Sequence, residues 1–415
     1  MMQENAALAS RARVASIDAL RGLTIALMIF VIAVAAGNYP DLPQQASWFG
    51  SLPVSTWNHA DTGWERMVEH QKAAGLTPAE IAALPEARLK NIGLTATDLV
   101  APFFIFVVGL VLPLSKIRRD GDWWRHVLRR TAGLILAGVI YISLILGLSW
   151  WWGILQTIGI AYLMGAASLK LKPALRWAAI FAVLGLHLLL SQYAGWWLQF
   201  GHTTAPFWTL GNPSGNWARP LTVHCLPWVS ISYGAMTMTG VLLGEAIATG
   251  ERHRIIRRSL LIAGLFMALG LGLHQLGFIT GNLKLCFNKP DVTASYALFT
   301  SGLAALFFLL LYAVIDVLGY KKWAWPFIEF GKNALLAYFL QIIVRLGFRA
   351  LQIEPFFAGA PNSTTRAWAG LLGSPFDRLL LDKSGYHGVF WGMLWTFCLW
   401  LVVNWCNQRN WYWKL

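Results

Sequence analysis

A chain of 415 residues that is 57% hydrophobic and only 13% charged is not built like a soluble globular protein, in which about a quarter of the residues are charged. Repeated apolar runs near the roughly 20 residues needed to cross a hydrocarbon core mark a polytopic membrane protein. Its net charge of +14 does not call for nucleic acid, because an excess of Lys and Arg in cytoplasmic loops is normal for such proteins.

In lipid each segment must satisfy its own backbone, so the runs are helices; a barrel would show alternating segments of about 10 residues. The fold class is all-α: one polytopic domain over residues 1–415 with about ten transmembrane helices. They are expected near 17–37, 97–115, 131–149, 153–170, 174–194, 226–247, 258–278, 294–318, 326–346 and 388–407. Basic residues concentrate in "KIRRDGDWWRHVLRR" and "ERHRIIRR", which places these stretches and both termini in the cytoplasm. The long segments 38–96, 195–225, 279–293 and 347–387 then lie outside.

The first outside segment carries "STWNHADTGWERMVEH", a titratable cluster in an otherwise apolar chain. It is followed by an extracytoplasmic insert at about 60–93, in which Thr77, Pro78 and Glu80 read as cap, first helical residue and capping-box partner of a short helix. Tryptophans in "SWWWG" and "YAGWWLQF" fit an aromatic belt at the membrane interface. Cys225, Cys286, Cys398 and Cys406 show no CxxC spacing, and no His–carboxylate spacing argues for a metal. Cys225 and Cys286 border outside loops, where a single bridge is open but has no support in the spacing.

Five stretches carry a resemblance. "RVASIDALRGLTIALMIFV", "GLTATDLVAPFFIFVVG", "GILQTIGIAYL", "FNKPDVTASYALFTSGLAAL" and "DVLGYKKWAWPFIEFGKNALLAYF" resemble, in order, the motifs of the heparan-α-glucosaminide N-acetyltransferase family. The chain looks like a bacterial member, resident in the inner membrane among lipids. The resemblance implies a transmembrane enzyme that moves an acetyl group from cytoplasmic acetyl-CoA to an extracytoplasmic amino sugar or glycan. It also implies a catalytic histidine in the first outside loop, matched here by His59.

Imidazole titrates near neutral pH, so His59 would act as general base or as transient acyl carrier; the competing reading is a loop histidine bonded to water or Asp61. Asn58 and Asp61 flank it as acceptor contacts. Asp98 orients and charges His59, or holds the acceptor's ammonium, or simply caps its helix. Asn288 and Lys289 would hold the acyl carbonyl, or form an ordinary turn before Pro290; Ser295 and Tyr296 follow on the same helix and line the same pocket. Arg21 would meet a CoA phosphate, or pair with Asp18 one turn away. Lys332 and Asn333 of "FGKNA" stand near the inner end of the ninth span, where an ammonium is costly unless it meets an anion or snorkels. Asp316 reads as a solvated or paired helix-end carboxylate, and His187 and His274 as lone structural histidines. Thr157 stands where the family has arginine and Ile32 where it has asparagine. These departures support the alternative, an inner-membrane permease for an amino sugar such as N-acetylglucosamine. A homodimer is left open by the sequence.

Overall fold

The computed structural model describes residues 14–35, 75, 77, 93–115, 121–146, 152–193, 229–289, 291–350 and 385–413. They form helices with no strand among them: α1 (Ala15–Ala35), α2 (Val100–Val111), α3 (Gly121–Leu146), α4 (Ile154–Ser168), α5 (Pro173–Tyr193), α6 (Ser230–Ala248), α7 (Arg252–Thr280), α8 (Ala294–Leu311), α9 (Trp325–Lys332), α10 (Ala334–Ala350) and α11 (Gly385–Gln408). Single 3-10 turns flank α2 on both sides, and a π segment, Tyr312–Val317, extends α8.

Seven of these elements are long and apolar enough to cross a membrane, or eight if one bent pair counts as a span. The described residues thus account for seven or eight of the about ten expected. Helix α4 is apolar but has 15 residues, about 22 Å of rise, short of a hydrocarbon core of about 30 Å. The expected ninth span is not one helix: α9 and α10 meet at 84°, with Asn333 between them outside helical geometry at φ −133°, ψ 45°. Helix α11 forms where the last span was expected.

Helices α1, α2, α6 and α8 are mostly buried, whereas α3, α5 and α7 keep one side open. Those open sides are leucine rows: Leu128, Leu136 and Leu144 on α3, Leu186 and Leu189 on α5, Leu260, Leu265 and Leu269 on α7. Contiguous apolar surface on this scale is unfavourable in water and matched to lipid tails. The chain is a multi-pass membrane protein.

Between helices in lipid, association rests on close packing of small residues, and two pairs show it. Helices α1 and α9 are among the most extensively packed pairs. A Cβ on Gly22 would collide with the Phe327 carbonyl oxygen, and one on Gly331 with that of Asp18. The glycines of "DALRG" and "FGKNA" thus meet reciprocally across one seam. Helices α2 and α6 approach in the same way through Gly109, Gly240 and Gly244. Because main chain cannot step aside like a flexible side chain, Gly331→Ala is expected to cost about 3 kcal/mol, at the upper end of overpacking. Gly264→Ala, where a Cβ meets nothing within 4 Å, should stabilise by about 0.5–1 kcal/mol through helix propensity. Thermal unfolding of the two purified variants checks the pair.

Candidate functional site

Polar groups gather at the two opposite ends of the bundle. At one end, Asp316 of the π segment accepts from Ala15 N (3.1 Å) and Ser16 N (3.0 Å). The carboxylate therefore sits on the otherwise unsatisfied N–H groups that begin α1. Arg176 and Glu245 pair nearby, between the start of α5 and the end of α6. Asp18 and Arg21 lie 3.6 Å apart, as i,i+3 spacing predicts, and Arg21 Nη1 donates to the Gly331 carbonyl (3.2 Å). Its charge rests on the last turn of α9, where a cation is favourable.

The α9–α10 break is held from the C-terminus. Asn333 Nδ2 donates to Asn407 Oδ1 (3.2 Å) and Trp411 O (2.7 Å), and its Oδ1 accepts from Trp413 N (3.1 Å). Asn407 in turn donates to Glu329 O and Oε2, and Lys332 Nζ meets Glu329 Oε1 at 2.5 Å. The ammonium expected to meet an anion or snorkel has an anion within its own helix. Of the cofactor-binding candidates, Arg21, Lys332 and Asn333 thus fall together here, each engaged in holding helix ends.

The other end brings together Asp98, Asn288, Lys289, Ser295 and Tyr296. All are almost fully buried, and they arrive from two distant parts of the chain. Asp98 sits in the 3-10 turn Ala96–Leu99 before α2, and its Oδ2 accepts from Thr95 N (3.0 Å) and Thr95 Oγ1 (2.9 Å). This is the capping geometry that keeps the first turn's donors satisfied. Its other oxygen lies 3.5 Å from Lys289 Nζ, which also donates to Thr97 O (3.2 Å). The Tyr296 hydroxyl donates to the Asp98 carbonyl. An ammonium from the turn before α8 thus lies where the acceptor's ammonium was expected.

Residues 286–289 and 291–293 form a turn that presents Lys289. Asn288 N donates to Thr293 Oγ1 (3.2 Å), Asp291 N to Asn288 Oδ1 (2.9 Å) and Thr293 N to Asn288 O (3.2 Å). Thr293 Oγ1 donates to Cys286 O (2.8 Å), so the Ser295 hydroxyl, 3.2 Å away, must donate to it. Val292 is buried with φ +50°, a left-handed conformation that costs a β-branched residue of order 1–3 kcal/mol. Such strain persists only where surrounding contacts fix it. Asn288 Nδ2 is buried without a hydrogen-bond partner among the described residues, a donor suited to a carbonyl oxygen.

Two histidines that read as isolated in sequence both face this turn. His274 Nδ1 accepts from Phe287 N (2.9 Å) and its ring stacks on Phe287 at 3.9 Å. That histidine is structural, as expected. His187 is not satisfied in the same way: neither ring nitrogen has a partner among the described residues, and Nε2 lies 3.8 Å from Asp291 Oδ1. Asp291 Oδ2 accepts from Ser191 Oγ (3.1 Å). Burial pushes the Asp291 carboxyl up to about 8, against the opposing pull of the Ser191 hydroxyl and Lys284. Asp291 was not anticipated as a site residue; the signal was a His-x-x-x-Ser pair on one face of α5 opposite the acidic residue of "FNKPD". Cys286 is a free buried thiol, pushed up to about 12 by burial, so it is unbridged and unreactive while covered.

His59, Asn58 and Asp61 lie outside the described residues, as does most of the insert at 60–93. No group of three or more His, Cys, Asp or Glu suited to a metal occurs among the described residues. Residues 80–278 match the model of a family described as heparan-alpha-glucosaminide N-acetyltransferase, catalytic. The match runs from before Asp98 through α7 and stops short of the turn that carries Asn288 and Lys289. No curated protein matches the chain.

Proposed function

We propose, from the match of residues 80–278 to the heparan-alpha-glucosaminide N-acetyltransferase family, that the chain is a member of that family and transfers an acetyl group from cytoplasmic acetyl-CoA to an amino sugar on the far side of a bacterial inner membrane. The observation that carries the reading is the buried constellation of Asp98, Lys289, Tyr296 and Asn288 at the helix ends between which the His59 segment is strung. That segment joins the end of α1 to the start of α2. The opposite end of the bundle carries Arg125, Arg129, Arg130, Lys170, Lys172, Arg252, Arg257, Lys321 and Lys322, the basic band expected toward the cytoplasm. About ten spans and cytoplasmic termini complete this topology.

In this reading His59 takes the proton of the attacking amine or carries the acetyl group itself. Asn288 Nδ2 and Lys289 donate to the acyl oxygen as negative charge develops on it, a role in which fixed donors gain strength from the absence of water. Asp98 places Lys289, while Asn58, Asp61, Ser295 and Tyr296 hold the acceptor. On the basic face, Arg21 and Lys332 remain partly exposed beside the α1–α9 seam and would meet a CoA phosphate.

One observation favours the permease alternative: the broken pair α9–α10, since discontinuous helices line many transport sites. Against it, the Asn333 amide at this break is taken up by Asn407, Trp411 and Trp413. Inside-loaded vesicles decide between the two. Labelled acetyl-CoA supplied inside is expected to yield labelled N-acetyl sugar outside, with one CoA released per sugar. Uptake of unmodified sugar without CoA release would establish the permease instead.

A further inference from the structure

The His187–Asp291 contact lies outside the constellation just described but is built into the same turn. Asp291 follows Lys289 by two residues, and its carboxyl is enclosed by His187 and Ser191 of α5, with Lys284 and Asn288 from its own segment and His274 of α7 on the segment's other flank. Its Oδ1 and both His187 nitrogens have no hydrogen-bond partner among the described residues. A carboxylate enclosed this way would be both desolvated and underbonded, whereas a neutral carboxyl carries no charge to desolvate; its Oδ1 faces His187 Nε2 at 3.8 Å, beyond hydrogen-bond length. The same turn holds Val292 in left-handed backbone, a conformation that needs external fastening.

We propose that Asp291 is a positioning residue whose bound proton lets its carboxyl stay buried against His187 and Ser191 of α5, which fastens the turn before α8 and so keeps Asn288 and Lys289 in place. When the carboxyl loses that proton to solvent the turn releases. The link to acetyl transfer rests on the proposed function; the fastening itself does not.

Cys286 reports on the turn independently of activity, since its thiol is buried at the start of the same segment. With Cys225, Cys398 and Cys406 replaced by serine, maleimide labelling of Cys286 is measured from pH 5 to 9 and divided at each pH by the rate of an exposed reference thiol. The sign follows from linkage. A carboxyl raised from its ordinary value to about 8 in the closed turn favours closure at low pH and loses that contribution as pH rises. The normalised rate should therefore climb about tenfold per pH unit and level off near pH 8. Asp291→Asn should flatten the profile. Ser191→Ala, which removes a donor that favours the ionised form, should move the plateau to higher pH, and it serves should Asp291→Asn fail to fold.

A wild-type rate independent of pH, or superimposable wild-type and Asp291→Asn profiles, would overturn the proposal, as would a plateau that Ser191→Ala leaves in place. Acetyl transfer is read in parallel, and kcat/KM should fall as pH rises toward 8 and level off above it in the wild type but not in Asp291→Asn. If no variant transfers acetyl at all, the enzymatic reading fails while the thiol profile still decides the fastening.

Discussion

Acetyl transfer across vesicles is expected to drop by about 10²–10⁴-fold when His59 is replaced by alanine, the range typical of losing a general base. The amine of an amino sugar is largely protonated near neutral pH and cannot attack a thioester until that proton is removed. Imidazole, with an ordinary value near 6.5, can do so without being held permanently charged. The two buried carboxyls at this end of the bundle are poorly placed for this task. Asp98 is occupied by Thr95 and Lys289, and Asp291 lies on the far side of its turn against α5. The two roles of His59 separate experimentally. If the imidazole carries the acetyl group, wild-type protein should exchange label between acetyl-CoA and CoA with no acceptor present, and His59→Ala should lose that exchange. If it acts only as a base, no exchange occurs in either protein. Undiminished transfer by a correctly inserted His59→Ala protein would sink both roles.

The helices could be read from the sequence because lipid leaves a spanning segment little choice: an apolar run of sufficient length must close its own hydrogen bonds. The Asp18–Arg21 pair was legible for the same local reason, since i,i+3 spacing brings the two side chains together in any helix. The α9–α10 break was not. "IEFGKNALLAYF" has no proline or other local signal strong enough to stop a helix at Asn333, and the bend is fixed by Asn407, Trp411 and Trp413 far along the chain. Similarly, the motif positions Asp98, Asn288, Lys289, Ser295 and Tyr296 were legible as candidates one at a time. That Lys289 lies against Asp98, or that Asp291 faces His187, depends on how α2, α5 and the turn before α8 are brought together. No local periodicity encodes that arrangement. His187 looked isolated because its partner is not on its own helix.

Lys289→Met should be the most damaging single change at the described end of the site. The ammonium and the Asp98 carboxylate are both buried, with side-chain exposures of 5% and 1%. Removing one member of such a pair leaves an uncompensated charge, at a cost of about 3–5 kcal/mol. Part of that carboxylate's need is still met by the Thr95 amide and hydroxyl, which favours the lower half of the range. The double variant Asp98→Asn with Lys289→Met removes both charges while keeping a carbonyl oxygen for Thr95 to donate to. Its stability should return most of the way to wild type, as neutral replacements of buried pairs often do. Unfolding of the purified single and double variants measures this recovery, and transfer assayed on the same preparations assigns the ammonium its role. A double variant that is stable yet inactive means Lys289 acts on the acyl group. A double variant that recovers both stability and transfer means the ammonium is there only to neutralise Asp98, and the charge that assists the reaction must come from elsewhere.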